Sequence, residues 1–128
     1  MSDARVFELL PLVSRTFALS IRRLSGKLAV DIAFAYLVCR LLDTIEDDAA
    51  LPAAKRCRLL QRLALTLATD LGRHRTLKNI AVLLPAITAK PAEMDLLAEA
   101  GPLFARFDSM PLATAGPIRR YAAEMAAG

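Results

Sequence analysis

The segment from about Lys27 to Asp47 constrains this chain more than any other. Phe34, Leu37, Val38, Leu41, Leu42 and Ile45 spread around a predicted helix, and a helix that is apolar nearly all round is buried. Tyr36, Arg40, Asp43 and Asp47 interrupt that cover at spacings of four, three and four. At 3.6 residues per turn they fall on one narrow line, with Glu46 beside it, about 80° away. A buried helix cannot turn an arginine and two carboxylates toward hydrocarbon without partners. The line must therefore meet a polar cavity, another polar helix or bound ions.

Composition extends this to the whole chain. Of 128 residues, 55% are hydrophobic, and the mean hydropathy is +0.40. That is enough apolar material for one domain, and it excludes a disordered chain, which cannot offset its ordering entropy. The apolar residues are mostly Leu and Ala, with no Trp, two Tyr and five Phe. Leu and Ala favour helix, whereas sheets draw on β-branched and aromatic runs, so the expected fold class is all-α.

Pro and Gly divide the chain into helical pieces. These are Asp3 to Leu10, stopped or kinked at Pro11, and Ser14 to Leu24, closed by Ser25-Gly26. After the long helix comes Ala54 to Leu71, with Leu59, Leu63, Leu67 and Leu71 at helical spacing, ended by Gly72. Thr76 to Ile87 follows, then Pro91 to Phe107 with a break at Gly101-Pro102, and a last helix from Ile118 after Pro111 and Gly116-Pro117. That helix runs on to Gly128, so residues 1–128 are expected to be part of a larger helical domain, cut on its C-terminal side.

Net charge is +4, from 17 Lys+Arg against 13 Asp+Glu. The basic residues are scattered, and the densest run, Lys55-Arg56-Cys57-Arg58, reads as the solvated first turn of a helix. Without zinc-finger spacing or an aromatic-rich basic strand, no nucleic-acid partner is expected, while a phosphate-bearing small molecule is compatible. Cys39 and Cys57 form no C-x-x-C pair and do not suggest a secreted disulfide scaffold; Cys39 reads as a buried thiol. Asp3, Arg5, Glu8 and Arg15 interrupt any signal-peptide core, and no uncharged stretch reaches the roughly 18 residues of a spanning helix. The expected compartment is cytoplasmic, with peripheral membrane contact left open. His74, between two arginines, reads as a surface residue.

The acid line has two readings. Arg40 and Asp43, at i,i+3, can form an internal salt bridge. That leaves Glu46, Asp47 and Asp48 in excess at a helix C-terminus, where the macrodipole favours cations, unless the end is exposed and frayed. Alternatively, Asp43 and Asp47, one turn apart with Glu46 beside them, hold Mg²⁺, which takes oxygen ligands and commonly shares them with a substrate phosphate. Upstream, Ser14, Thr16 and Ser20 offer hydroxyls, and Arg15 offers a fork suited to phosphate oxygens. Ser14 also reads as a helix N-cap.

Together, Ser14-Arg15-Thr16-Phe17 and Tyr36-Leu37-Val38-Cys39-Arg40-Leu41-Leu42-Asp43-Thr44-Ile45-Glu46-Asp47-Asp48 resemble the N-terminal signature of squalene and phytoene synthases. The likeness is strong from about Leu12 to Asp48 and is only generally helical thereafter. The D-T-I-E-D-D form looks more like the squalene synthase branch. The resemblance implies the isoprenoid synthase fold and the head-to-head (1'-1) condensation of two allylic prenyl diphosphates, with farnesyl diphosphate as the expected substrate. It implies Mg²⁺-assisted ionisation of diphosphate and, on the squalene synthase branch, reduction by NADPH. Carried over residue by residue, Asp43, Asp47, Tyr36 and Arg40 form the catalytic set. Asp43, Glu46 and Asp47 are the metal group. Ser14, Arg15 and Arg40 contact diphosphate, and Phe17 walls the prenyl cavity.

The family's second aspartate-rich motif has no counterpart here. Asp95 and Asp108 are isolated acids that read as surface groups. By the same resemblance, Glu124 falls in a segment where the family often has an aromatic. The isolated chain is therefore expected to be inactive, with the C-terminal half of the fold as its missing partner. Other readings are a phytoene or dehydrosqualene synthase, a non-catalytic helical scaffold of the same fold, and a membrane-surface or partner-binding module.

Overall fold

The computed structural model describes residues 1–21 and 23–128, and among them every element is helical, as expected. The helices are α1 (Asp3–Val13), α2 (Arg15–Ile21), α3 (Gly26–Glu46), α4 (Ala53–Thr69), α5 (Arg73–Leu83), α6 (Pro91–Ala98), α7 (Ala100–Ser109) and α8 (Leu112–Ala127), with a 3-10 turn at Leu84–Ala86. The long central helix has the predicted extent to within one residue at each end.

α3 is the axis of the fold, packed against α1, α2, α4, α6 and α8. Ala33, Phe34, Leu37, Val38, Leu41, Leu42 and Ile45 are all buried. Around them close Val6, Leu9 and Leu10 of α1, Leu59, Leu63 and Leu67 of α4, Leu96 and Leu97 of α6, and Phe104 and Phe107 of α7, in one continuous core. Fully burying a side chain of this kind contributes about 1.5–3 kcal/mol. α8 lies along α4 through small residues, its buried positions being Ala115, Ala122 and Ala126.

Several predicted boundaries move, each for a local reason. α1 continues through Pro11 to Val13, because a proline near the end removes one hydrogen bond without stopping the last turn. The piece predicted over Ser14 to Leu24 ends at Ile21, and its Arg22 lies outside the described residues. α4 ends at Thr69, not Leu71. Asp70 caps it in the left-handed region at φ 62, and Leu71 is exposed. Gly72, at φ 69, precedes α5, where a side chain would be strained. The break in the 91–107 stretch falls at Glu99, not at Gly101-Pro102. Pro102 lies in the first turn of α7, where a missing N–H costs little. α8 starts at Leu112 and carries Pro117 inside it rather than beginning at Ile118; the carbonyl freed by the proline belongs to the exposed Ala113, where water can satisfy it.

Arginines from other elements finish the C-terminal end of α4. Arg119 donates to the carbonyls of Thr66 and Leu67 at 3.1 and 2.9 Å, lies over the Phe107 ring, and pairs with Asp70 at 2.9 Å. Arg73 bridges Asp70 and Asp108 at 2.7 and 2.8 Å, so Asp108 is exposed but paired. Partial burial pushes the Asp70 carboxyl up, but the bonds from Arg73 and Arg119 outweigh it and hold it below the usual carboxylate range. Asp108 is lowered chiefly by its bond from Arg73.

Two outcomes follow from this packing. Phe34 is fully buried and meets Phe107 edge-on at 5.1 Å, so Phe34→Ala should cost about 3–5 kcal/mol in urea unfolding. The Asp70 and Asp108 contributions are fully present above the unfolded carboxylate value of about 3.9 and are lost as pH falls through their lowered folded values. The melting-temperature gap between wild type and Arg73→Met should therefore be widest near neutrality and close toward pH 2. A gap independent of pH would contradict the pairing.

Candidate functional site

Packing on α3 leaves its polar line facing one hollow. Arg40, Asp43, Thr44, Asp47, Asp48, Ala49, Thr88, Ala89, Lys90 and Glu93 enclose about 260 Å³ there. The hollow lies where the C-terminal end of α3 meets the segment entering α6. Three of the four line residues reach it.

Arg40 does not make the i,i+3 bridge to Asp43. Its Nη2 donates to Oε1 of Glu93, in the first turn of α6, while its Nε is buried with no partner. Burial, the largest influence, would lower the guanidinium, but the Glu93 bond and the Glu93, Tyr36 and Asp43 charges together outweigh it and the net direction is upward. Thr44 donates to the Arg40 carbonyl at 2.8 Å, as an ordinary helix back-bond. Asp43 and Asp47 make no ion pair among the described residues. The Asp43 carboxyl is pushed above its ordinary value, first by burial and then by the Asp47 charge, with Arg40 pulling the other way. Burial and the Asp43 charge likewise raise the half-buried Cys39 thiol.

Asp48 has a different task from its neighbours. It is 6% exposed, and its Oδ1 accepts from the backbone N–H of Ala50 and Leu51 at 2.9 and 3.2 Å, its Oδ2 from that of Thr88 at 2.8 Å. Its carbonyl accepts from Nη1 of Arg56 at 2.7 Å, which brings a cation to the carbonyl end of α3, where the macrodipole favours one. Arg56 is thus half-buried and engaged, where the sequence suggested a solvated basic run.

The remaining predicted residues fall elsewhere. Glu46 is exposed and lines a separate hollow with Arg56, Cys57 and Gln61. Among the described residues no group of three or more acidic, His or Cys side chains gathers as a metal cage. Tyr36, one turn before Arg40, stacks on Phe17 of α2 with ring centroids 4.4 Å apart and planes 17° apart. Ser14 Oγ accepts from the Phe17 N–H at 3.2 Å, so the N-cap reading holds; Arg15 is exposed beside it. Neither lines the hollow. Lys90 and Glu93, which do, were not singled out in the sequence. Pro91 announced a helix start, and an acid in the first turn after it was the available signal, but the facing helix was not.

The sequence profile of the squalene/phytoene synthase family matches residues 10–126. Among curated proteins the chain is similar to the squalene synthase of Gibberella zeae, with 44% identity over 64 residues, 50% of this chain and 14% of that protein. It is 41% identical to the squalene synthase of Saccharomyces cerevisiae over 81 residues, 60% of this chain and 18% of that protein. With a squalene synthase of Botryococcus braunii the identity is 44% over 55 residues, 43% of this chain and 12% of that protein. The matched stretches span less than a fifth of these relatives' own length. No solved structure matches the chain. No helix among the described residues is long and apolar enough to cross a membrane.

The Arg40–Glu93 contact joins α3 to α6 beneath the hollow. Glu93→Gln should therefore destabilise the fold by about 1–2 kcal/mol in urea unfolding, because a charge-assisted bond to a partly buried guanidinium is weakened. Equal stability would mean the pair is incidental.

Proposed function

The chain belongs to the squalene/phytoene synthase family, and from that premise we propose that its hollow is the diphosphate end of a prenyltransferase site for head-to-head (1'-1) condensation of two allylic prenyl diphosphates, farnesyl diphosphate being the substrate expected on the squalene synthase branch. One juxtaposition carries the reading: Asp43 and Asp47, one turn apart, line the same hollow as Arg40 and Lys90 at the end of a helix that buries ten of its 21 residues.

The donor set fits Mg²⁺. Two carboxylates with no cation paired to them among the described residues suit an ion that takes one or two carboxylates and completes its shell with water and substrate phosphate. Asp43 and Asp47 would hold it; when bound, it offsets the negative charge that develops on a leaving diphosphate. Arg40 presents guanidinium N–H groups for diphosphate oxygens, in the planar geometry that suits them. Ser14 and Arg15 would contact diphosphate oxygens from the α2 side. The stacked Phe17–Tyr36 pair offers aromatic faces that shield an allylic cation from water and stabilise it by cation–π attraction.

Titration calorimetry with inorganic pyrophosphate, with and without Mg²⁺, tests the site directly. Binding should require Mg²⁺, and Asp43→Asn or Asp47→Asn should weaken it at least about tenfold. Unchanged binding in both variants would favour a helical scaffold of the same fold. These 128 residues carry one of the family's two acidic motifs. Farnesyl diphosphate with Mg²⁺ and NADPH should accordingly give no squalene above background, and sustained turnover would overturn the requirement for a second motif.

A further inference from the structure

Asp48 ends the acidic run, yet its chemistry differs from that of Asp43 and Asp47. A carboxylate free to ligate a cation keeps open lone pairs on an accessible face. Asp48 is 6% exposed, and both its oxygens are taken by backbone N–H groups from two separate segments. Ala50 and Leu51 belong to the link between α3 and α4. Thr88 belongs to the link between the 3-10 turn and α6, forty residues away in sequence.

The second attachment has a geometric consequence. Thr88 stands two residues before Lys90, the N-cap of α6, and Pro91 fixes the first position of that helix. From Thr88 to Glu93 there is little slack. Holding the Thr88 N–H therefore sets where the Lys90 ammonium and the Glu93 carboxylate stand opposite Asp43 and Asp47. Ile87, buried just before, adds an apolar anchor on the same segment.

We infer that Asp48 is a positioning residue: it fastens the segment entering α6 to the acid end of α3 and so places the Lys90–Glu93 wall of the hollow. The inference rests on the proposed diphosphate reading for its binding consequence, but not for its structural one.

Two variants separate positioning from direct ligation. Asp48→Asn keeps an acceptor for one attachment and loses the other. Thr88→Pro leaves Asp48 intact and removes the N–H that binds it; Ile87 already has the extended conformation that a following proline requires, at φ −82 and ψ 134. If Asp48 acts through the wall, both variants should weaken Mg²⁺-dependent pyrophosphate binding about tenfold, the scale typical of residues that orient ligands. Both should also speed exchange of the Met94 amide, which donates to the Lys90 carbonyl, and of the α6 amides that follow it, while the core amides of α3 stay protected. Wild-type binding in Thr88→Pro together with a loss in Asp48→Asn would make Asp48 a ligand and overturn the inference, as would unchanged exchange in Asp48→Asn. If Asp43→Asn leaves pyrophosphate binding unaltered, the diphosphate reading fails instead, and exchange of the α6 amides from Met94 onward still decides whether Asp48 holds the wall.

Discussion

Burial of one broad face of α3 is the constraint from which the rest of the structure follows. A helix of 21 residues with ten of them buried needs neighbours on several sides, and α1, α2, α4, α6 and α8 supply them. Polar side chains on such a helix can survive only where that packing stops or where a neighbour answers them. Arg40 is answered by Glu93 from α6, and Asp43 and Asp47 open where the packing ends. The hollow is thus a product of the core, since the neighbours that bury α3 also decide which of its residues remain outside.

The acid end of α3 looks costly in isolation, because carboxylates stand where a helix dipole favours cations. Tertiary contacts remove much of that cost. Arg56 donates to the Asp48 carbonyl, and three backbone amides converge on the Asp48 carboxylate. Arg119 does the corresponding work at the end of α4, reaching two terminal carbonyls from α8. In both places a guanidinium from another element binds carbonyls, just past the end of α3 and within the last turn of α4, and ties two elements together with the same bonds. The run of acids then divides by environment: Asp48 is consumed by structure, Glu46 lines a different hollow, and Asp43 and Asp47 line the polar one.

What was legible in the sequence was whatever a single helix can express. Apolar spacing placed α3, and the four-three-four spacing placed Arg40, Asp43 and Asp47 on a common line that does meet a hollow. Punctuation by Pro was less secure. Pro102 and Pro117 look like breaks in the sequence, but one falls in a first turn and the other frees only an exposed carbonyl, so burial of the flanking residues carries both helices through. The partners across the hollow were not legible at all. Glu93, Lys90 and Thr88 lie forty residues or more beyond the acidic run, and nothing in their local pattern names α3 as their neighbour. The exchange of the expected Arg40–Asp43 bridge for Arg40–Glu93 has the same origin: a tertiary acid with better reach displaced the local one.

Charge in the hollow gives the arrangement its chemical bias. Asp43, Asp47, Asp48 and Glu93 oppose Arg40 and Lys90, so the lining is net negative even though the chain as a whole is positive. Glu93 and Asp48 are already engaged, with Arg40 and with backbone amides, and among the described residues Asp43 and Asp47 are the lining acids without an ion pair. Burial first and the Asp47 charge second raise the Asp43 carboxyl, as desolvation and a neighbouring like charge do. An anionic head group entering alone would meet that repulsion, whereas a divalent cation between the two aspartates reverses its sign. On the proposed reading, anion and cation affinity at this site are therefore coupled, each raising the other by the same factor. The coupling arises from the spacing of two residues on one buried helix, and its strength depends on how closely the opposite wall is held.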